Sequence, residues 1–170
     1  NNNINHKKIK KKNKTLSLKT TKNKFKKKFE KEFKIEDNIL KIESIVFNLS
    51  KSKNEIIIKI DGINQIIQIG DGSYVKNNLK NPLPYTKYNN KNIITFGMSE
   101  EKLKKIGTSG GWISNDSYQI INYLYETPTS VVYNFTFKED ELQWDTEVKN
   151  SLQEYVAPQI PLSLKSIKNE

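Results

Sequence analysis

Cysteine and arginine are absent from this chain of 170 residues, and alanine and histidine occur once each, the histidine at His6. Without thiols there is no disulfide framework, no thiolate metal site and no cysteine nucleophile, and one histidine near the chain start leaves little imidazole chemistry. No cofactor and no metal are therefore expected. No apolar run approaches the roughly 20 residues that cross a bilayer as a helix, and the Asn-rich start lacks the apolar middle of a signal peptide. The first residue is Asn1, which reads as a processed product or a piece of a longer protein.

What the chain has in abundance is Lys, Asn and Ile, at 29, 21 and 22 residues, a skew that resembles AT-rich codon bias. The formal net charge of +10 is unevenly placed. Residues 1–34 hold 14 Lys against Glu30 and Glu32, so the rest of the chain is slightly acidic. The lysines cluster as Lys7, Lys8, Lys10, Lys11 and Lys12, then as Lys26, Lys27 and Lys28. With few apolar residues among them, such a segment cannot bury enough surface to offset ordering entropy, and residues 1–29 read as a mostly disordered basic tail. Those eight lysines are the candidate anion-binding residues, for nucleic acid or an anionic surface, since each lysine beside a phosphate releases counterions. The tail lacks the Arg and interleaved aromatics that specific recognition uses, so a solvated linker is the competing account.

Residues 30–152 form the expected single domain, and residues 153–170, with Pro158 and Pro161, an extended C-terminal tail. Short Ile-, Val-, Tyr- and Phe-rich segments broken every eight to twelve residues mark an all-β chain. Candidate strands are 33–36, 44–49, 55–60, 65–69, 93–96, 103–108, 111–114, 118–125, 131–138 and 142–148. Asp61-Gly62 and the Lys138-Glu139-Asp140-Glu141 link are hairpin turns, so the strands should form an antiparallel meander, a curved sheet or lipocalin-like barrel of about eight strands. Val131, Tyr133, Phe135 and Phe137 alternate with wetter residues, and Leu142 and Trp144 repeat the alternation on the next strand. Residues 118–125 are apolar on both faces around Asn122, which predicts a strand covered twice. The stretch from Val75 to Asn92, polar and broken by Pro82 and Pro84, reads as a long surface loop.

Two motifs resemble catalytic ones. Gly107-Thr108-Ser109-Gly110-Gly111 has the spacing of a nucleophile elbow, which works when a strained strand-to-helix turn presents Ser to a His base. Here another strand follows and the one His is far away in sequence, so glycines making room for close packing are the better account. The S-x-x-K spacing occurs at Ser50/Lys53, Ser73/Lys76 and Ser99/Lys102, which the abundance of both residues explains. No catalytic residue is assigned.

Three collinear segments carry a family resemblance. They are Gly70-Asp71-Gly72-Ser73-Tyr74, then the run from Ser109-Gly110-Gly111-Trp112 to Tyr118, and then Tyr125-Glu126-Thr127-Pro128 followed by Tyr133-Asn134-Phe135-Thr136-Phe137 and Leu142. Together with Lys34-Ile35-Glu36-Asp37-Asn38, they resemble the non-catalytic C-terminal β domain of bacterial β-lactamase-related serine hydrolases, the class C and penicillin-binding-protein-like group. That resemblance implies a barrel-like antiparallel sheet with no nucleophile of its own, and a partner: the catalytic serine hydrolase domain of the parent chain. The basic tail then corresponds to a linker, and the strand at Tyr118 to the side that meets the partner domain.

Pro128 ends a strand by removing a donor, and Thr127 before it is biased to extended backbone. Glu126 either caps that corner or points into a ligand cavity. The rival to the accessory-domain reading is a free-standing lipocalin-like carrier whose apolar pocket is lined by Trp112, Tyr123 and Trp144 and holds a small apolar ligand. The candidate structural or pocket residues are thus Trp112, Tyr123, Tyr125, Glu126, Thr127, Pro128 and Trp144.

Overall fold

The computed structural model describes residues 28–38, 40–79, 104–125, 130–149 and 162–167. Among these residues ten strands follow one another: β1 (Phe29–Lys34), β2 (Ile42–Leu49), β3 (Asn54–Ile60), β4 (Ile63–Gln68), β5 (Val75–Leu79), β6 (Lys104–Trp112), β7 (Ser117–Leu124), β8 (Ser130–Lys138), β9 (Glu141–Lys149) and β10 (Leu162–Lys165). They make two antiparallel sheets, ordered β1-β2-β3-β4 and β10-β9-β8-β7-β6-β5, so every neighbour within a sheet is also a neighbour in sequence. The expected all-β antiparallel meander is the architecture found. Among the described residues there is no helix long and apolar enough to cross a membrane.

Turn chemistry fixes the registers. Ile60 pairs with Ile63 across Asp61 and Gly62, both at positive φ (49° and 77°), the geometry a two-residue hairpin needs. Lys138 pairs with Glu141 across Glu139, at φ 52°, and Asp140, so the β8–β9 register sets Phe135 opposite Trp144 and Phe137 opposite Leu142. At the β1–β2 corner the Asn38 side chain replaces backbone bonding: its Oδ1 accepts from the N–H groups of Leu40 and Ile42, and its Nδ2 donates to the carbonyls of Glu36 and Ile42.

Alternation buries one face of each sheet, and the two buried faces share a core. Phe47 on β2 stands edge-on to Phe135 at 5.0 Å and to Phe137 at 5.2 Å on β8, and Phe33 lies 5.7 Å from Phe137. Each such ring pair adds about 0.5–1.5 kcal/mol to the stabilisation that burial supplies. Phe29, assigned to the tail by composition, belongs to this cluster: its ring lies 4.7 Å from Phe137 and 5.4 Å from Trp112. The basic segment therefore gives way to the fold at Phe29. Lysine density had masked a strand whose partner, β2, supplies the missing apolar surface.

Three further expectations are corrected. Residues 75–79, read as part of a loop, form β5, paired with β6 from Val75↔Thr108 to Leu79↔Lys104. Candidate strands 103–108 and 111–114 are one strand, because β6 runs unbroken through its glycines and pairs with β7 from Ile106↔Leu124 to Trp112↔Tyr118. Residues 162–165, placed in a C-terminal tail, are β10 on the edge of the larger sheet, where Leu164 is buried opposite Trp144. Candidate strand 93–96 lies outside the described residues.

Two seams join the sheets. At one, Ile35 bridges Ser166, Glu36 N–H donates to the Lys165 carbonyl (3.0 Å) and Ile167 N–H to that of Lys34 (2.9 Å). At the other, β4 and β5 share no ladder. Gly70 N–H reaches the Thr108 carbonyl at 3.2 Å, Gly110 N–H reaches that of Gly70 at 2.9 Å, and the Asn77 amide does the rest. These few bonds join two separate ladders, so among the described residues no barrel is closed.

Candidate functional site

The nucleophile-like Ser109 sits in mid-strand on β6, fully buried, and its hydroxyl donates to the Gly70 carbonyl at 3.2 Å. The glycines around it serve contact. A Cβ on Gly110 would lie 2.8 Å from Ile69 Cγ2 and 2.9 Å from the Gln119 carbonyl, and one on Gly107 would meet the Tyr125 ring. Residues 107–111 thus let the seam and a tyrosine ring approach the strand, as the packing account anticipates.

The proposed pocket trio does not assemble. Trp112 and Trp144 are buried in the core, each 1% exposed, but Tyr123 alternates to the outer face of β7, where its ring meets Tyr74 edge-on at 5.2 Å. Burial beside Tyr123 pushes the Tyr74 phenol well above its usual range. The same alternation corrects the doubly covered strand. Tyr118, Ile120, Asn122 and Leu124 are buried, while Gln119, Ile121 and Tyr123 are half-buried and Tyr125 is exposed. Glu126, Thr127 and Pro128 lie outside the described residues, as do Lys7, Lys8, Lys10, Lys11, Lys12, Lys26 and Lys27; Lys28 is exposed and pairs with Glu30 at 3.3 Å.

The core face of the larger sheet is not uniformly apolar, and its polar residues escaped the sequence reading. At one end Trp112, Tyr118, Phe135, Phe137 and Trp144 fill the interior with rings. Tyr118 crosses to the other sheet, its hydroxyl reaching Asn54 Oδ1 at 3.3 Å, and burial pushes that phenol well above its usual range. Toward the other end stand Asn77 on β5, Thr108 on β6, Asn122 on β7 and Thr146 on β9, all less than a tenth exposed.

Three of these side chains form a directed hydrogen-bond chain. Gln68 N–H donates to Asn77 Oδ1 at 2.9 Å, which fixes the orientation of that amide. Asn77 Nδ2 then donates to the Gln68 carbonyl at 2.8 Å and to Thr108 Oγ1 at 3.1 Å. The Asn77 side chain so pairs with a backbone peptide as another strand would, and sews β5 to β4. Thr108 donates its hydroxyl proton to Asn122 Oδ1 at 2.8 Å. The chain ends at Asn122 Nδ2, a fully buried donor with no partner among the described residues, and Trp144 Nε1 and Thr146 Oγ1 are likewise unpartnered there. A buried polar group left unpaired costs about 1–3 kcal/mol, so three on one face is a large concession in so small a core. Asn122 was the detectable signal, a lone amide on the apolar face of a strand.

Charge is kept off this face. Glu55 is the one charged side chain among the buried described residues, and it belongs to the smaller sheet. Burial pushes its carboxyl up, but Lys53 (2.8 Å), Asn48 (3.2 Å) and Gln68 (2.5 Å) outweigh that and hold it below its usual value. Asp116, in the turn before β7, is held low by the Ser114 and Ser117 hydroxyls. Among the described residues no three His, Cys, Asp or Glu gather as a metal site would require. No family model, no curated protein and no solved structure matches the chain.

Proposed function

We propose that this chain is a non-catalytic β module that supports or shields a catalytic domain of the β-lactamase-related serine hydrolase type. The observation that carries the reading is where the resembling segments lie. Gly70 bridges Ser109, Trp112 pairs with Tyr118, Tyr118 pairs with Phe135, and Phe137 pairs with Leu142, so segments far apart in sequence form one continuous patch of the larger sheet. The outer face of β7, with half-buried Ile121 and Tyr123 beside exposed Tyr125, is the side that would meet the catalytic domain. The test is the coding sequence upstream of Asn1. An in-frame domain with S-x-x-K on a helix, Y-x-N and a K-T-G-like strand supports the reading, whereas a start codon directly before Asn1 sinks it.

A second reading, a lipocalin-like carrier of a small molecule, is favoured by the interior itself. Two sheets bonded at both seams enclose one core, which approximates a barrel, and one end of that core presents polar groups. Titration with an environment-sensitive hydrophobic dye tests it: saturable one-to-one binding supports a carrier, and a linear response removes it.

A further inference from the structure

Each sheet ends in two terminal strands, and β4 is unlike the other three. β1 carries Lys31 and Lys34, β5 carries Lys76 and β10 carries Lys165, the kind of charge by which a sheet edge avoids pairing with another chain. β4, Ile63-Asn64-Gln65-Ile66-Ile67-Gln68, has no charge and no proline, and its register with β3 is unbroken. Two of its isoleucines, Ile63 and Ile66, are 57% and 52% exposed.

The direction of its backbone groups follows from two sets of hydrogen bonds. Ile69 N–H donates to the Asn54 carbonyl at 2.8 Å, so by alternation Ile67, Gln65 and Ile63 also bond to β3, while Gln68, Ile66 and Asn64 aim N–H and C=O away from it. At Gln68 those two groups are taken by the Asn77 amide, at 2.9 Å and 2.8 Å. Asn64 and Ile66, both exposed, repeat the geometry of Gln68 with no strand beside them among the described residues. The seam seals one end of this edge and leaves the other open.

An open edge accepts a strand, and the chemistry of this one suits its own copy. An antiparallel pairing with its two-fold axis at Gln65 sets Asn64 opposite Ile66 of the second copy, and Ile66 opposite Asn64 of the second copy. The open groups of each strand then meet those of the other, and the bonds to β3 and to Asn77 stay as they are. Gln65 faces its own counterpart, and an amide, holding both donor and acceptor, pairs with an amide. The two Ile66 side chains become diagonal neighbours, extending the outer-face row formed by half-buried Val46 and Ile57 with Ile66. Charges flanking the β3–β4 hairpin are paired with each other, Lys59 with Glu43 at 2.7 Å and Lys41 with Asp61 at 3.1 Å. The lysine-rich chain start leads into β1, at the opposite edge of the sheet.

We propose that β4 is a self-association edge, which joins the smaller sheets of two copies into one continuous sheet across a two-fold axis at Gln65. Neither functional reading depends on it.

One short strand makes a contact smaller than a standard interface, so the dimer is weak, with a Kd of about 10–500 µM. Sedimentation velocity of the full-length chain from about 1 µM to about 1 mM, in about 0.3 M salt to screen the lysines, should show monomer giving way to dimer and nothing larger. Ile66→Lys, at an exposed position, places two ammonium groups beside the axis and should weaken the dimer by at least about tenfold. Asn64→Pro removes an N–H that makes no bond to β3 and should do the same, so the two variants back each other if one fails to fold. The absence of cysteine makes a register test clean. In the proposed pairing Gln65→Cys stands about 4.5 Å from its counterpart, Cα to Cα, and should oxidise to a covalent dimer at least about tenfold faster than Ser163→Cys on the β10 edge. A monomer at every concentration overturns self-association, and growth beyond a dimer overturns the two-fold pairing. A dimer that both substitutions leave intact, or cross-linking at Gln65→Cys no faster than at Ser163→Cys, overturns the assignment to β4.

Discussion

The two ends of the interior are built on opposite principles. At one, rings from both sheets interlock: Phe29, Phe33 and Phe47 on the smaller sheet meet Trp112, Phe135 and Phe137 on the larger. At the other, the larger sheet turns amide and hydroxyl groups inward and leaves donors unspent. The aromatic end gains from area and edge-to-face geometry, which need no particular partner atom. The amide end gains only where each group finds its partner, so its contribution depends on position and direction. The contrast assigns most of the work of holding the fold to the first end.

The largest effect expected of any single substitution lies at the aromatic end. Phe47 is fully buried and touches Phe29, Phe33, Phe135 and Phe137, so Phe47→Ala removes two ring contacts between the sheets and two within its own. A loss of about 3–5 kcal/mol in denaturant unfolding is expected, enough to unfold a marginal domain. A loss under about 1 kcal/mol would mean that the sheets are held mainly at their seams.

The seams give the second effect. Asn77→Ala deletes the amide that pairs with the Gln68 peptide and that donates to Thr108, at a cost of about 2 kcal/mol. Hydrogen exchange localises it: the Gln68 N–H should lose protection while the β8–β9 hairpin keeps its own. Uniform loss of protection would show that this seam is part of one global unit.

These two regions were unequally legible in the sequence. Alternation of Val131, Tyr133, Phe135 and Phe137, and the Asp61-Gly62 and Glu139-Asp140 turns, act within a few residues, and the structure has β8, β9 and the hairpins where those signals place them. β5 was illegible because its core-facing Asn77 is polar, and its stabilising partners, Gln68 and Thr108, lie on other strands. β10 follows Pro161 and pairs Leu164 with Trp144, and β6 contains Gly107 and Gly110, which the approach of Tyr125, Ile69 and Gly70 explains. Local patterns reveal strands that carry their own apolar stripe. Strands completed by side chains from elsewhere look like loops or tails.

A third, smaller effect tests charge, which the interior excludes and the smaller sheet accommodates at Glu55. Its folded-state pKa is lowered from 4.5 by its three partners against the opposing effect of burial. A lowered carboxyl pKa stabilises the fold above the unfolded value and loses that stabilisation as pH falls through the folded one. Glu55→Gln should therefore cost about 1–2 kcal/mol at pH 7, and the difference from the unsubstituted protein should shrink to nothing as the pH falls below the folded pKa. Melting temperatures from pH 7 to pH 2.5 check the sign; a deficit that persists at the acid end would make the contribution one of packing rather than charge.

The smallest effect is the most discriminating, because it predicts almost no penalty for deleting a buried polar group. Thr146 is 6% exposed and its hydroxyl has no partner among the described residues, so Thr146→Val replaces an unspent donor with a methyl of nearly the same shape. In a core whose polar groups served stability, such a change would cost about 1 kcal/mol or more. Here the protein should be unchanged or more stable by up to about 1 kcal/mol, since the desolvation cost of the hydroxyl disappears with it. The same valine at Thr108, whose hydroxyl joins Asn77 to Asn122, should be destabilising, and the opposite signs at two buried threonines of one sheet are what chemical denaturation would read. A loss of stability at both would mean that Thr146 has a hydrogen-bond partner in solution, and would make the amide end part of the scaffold.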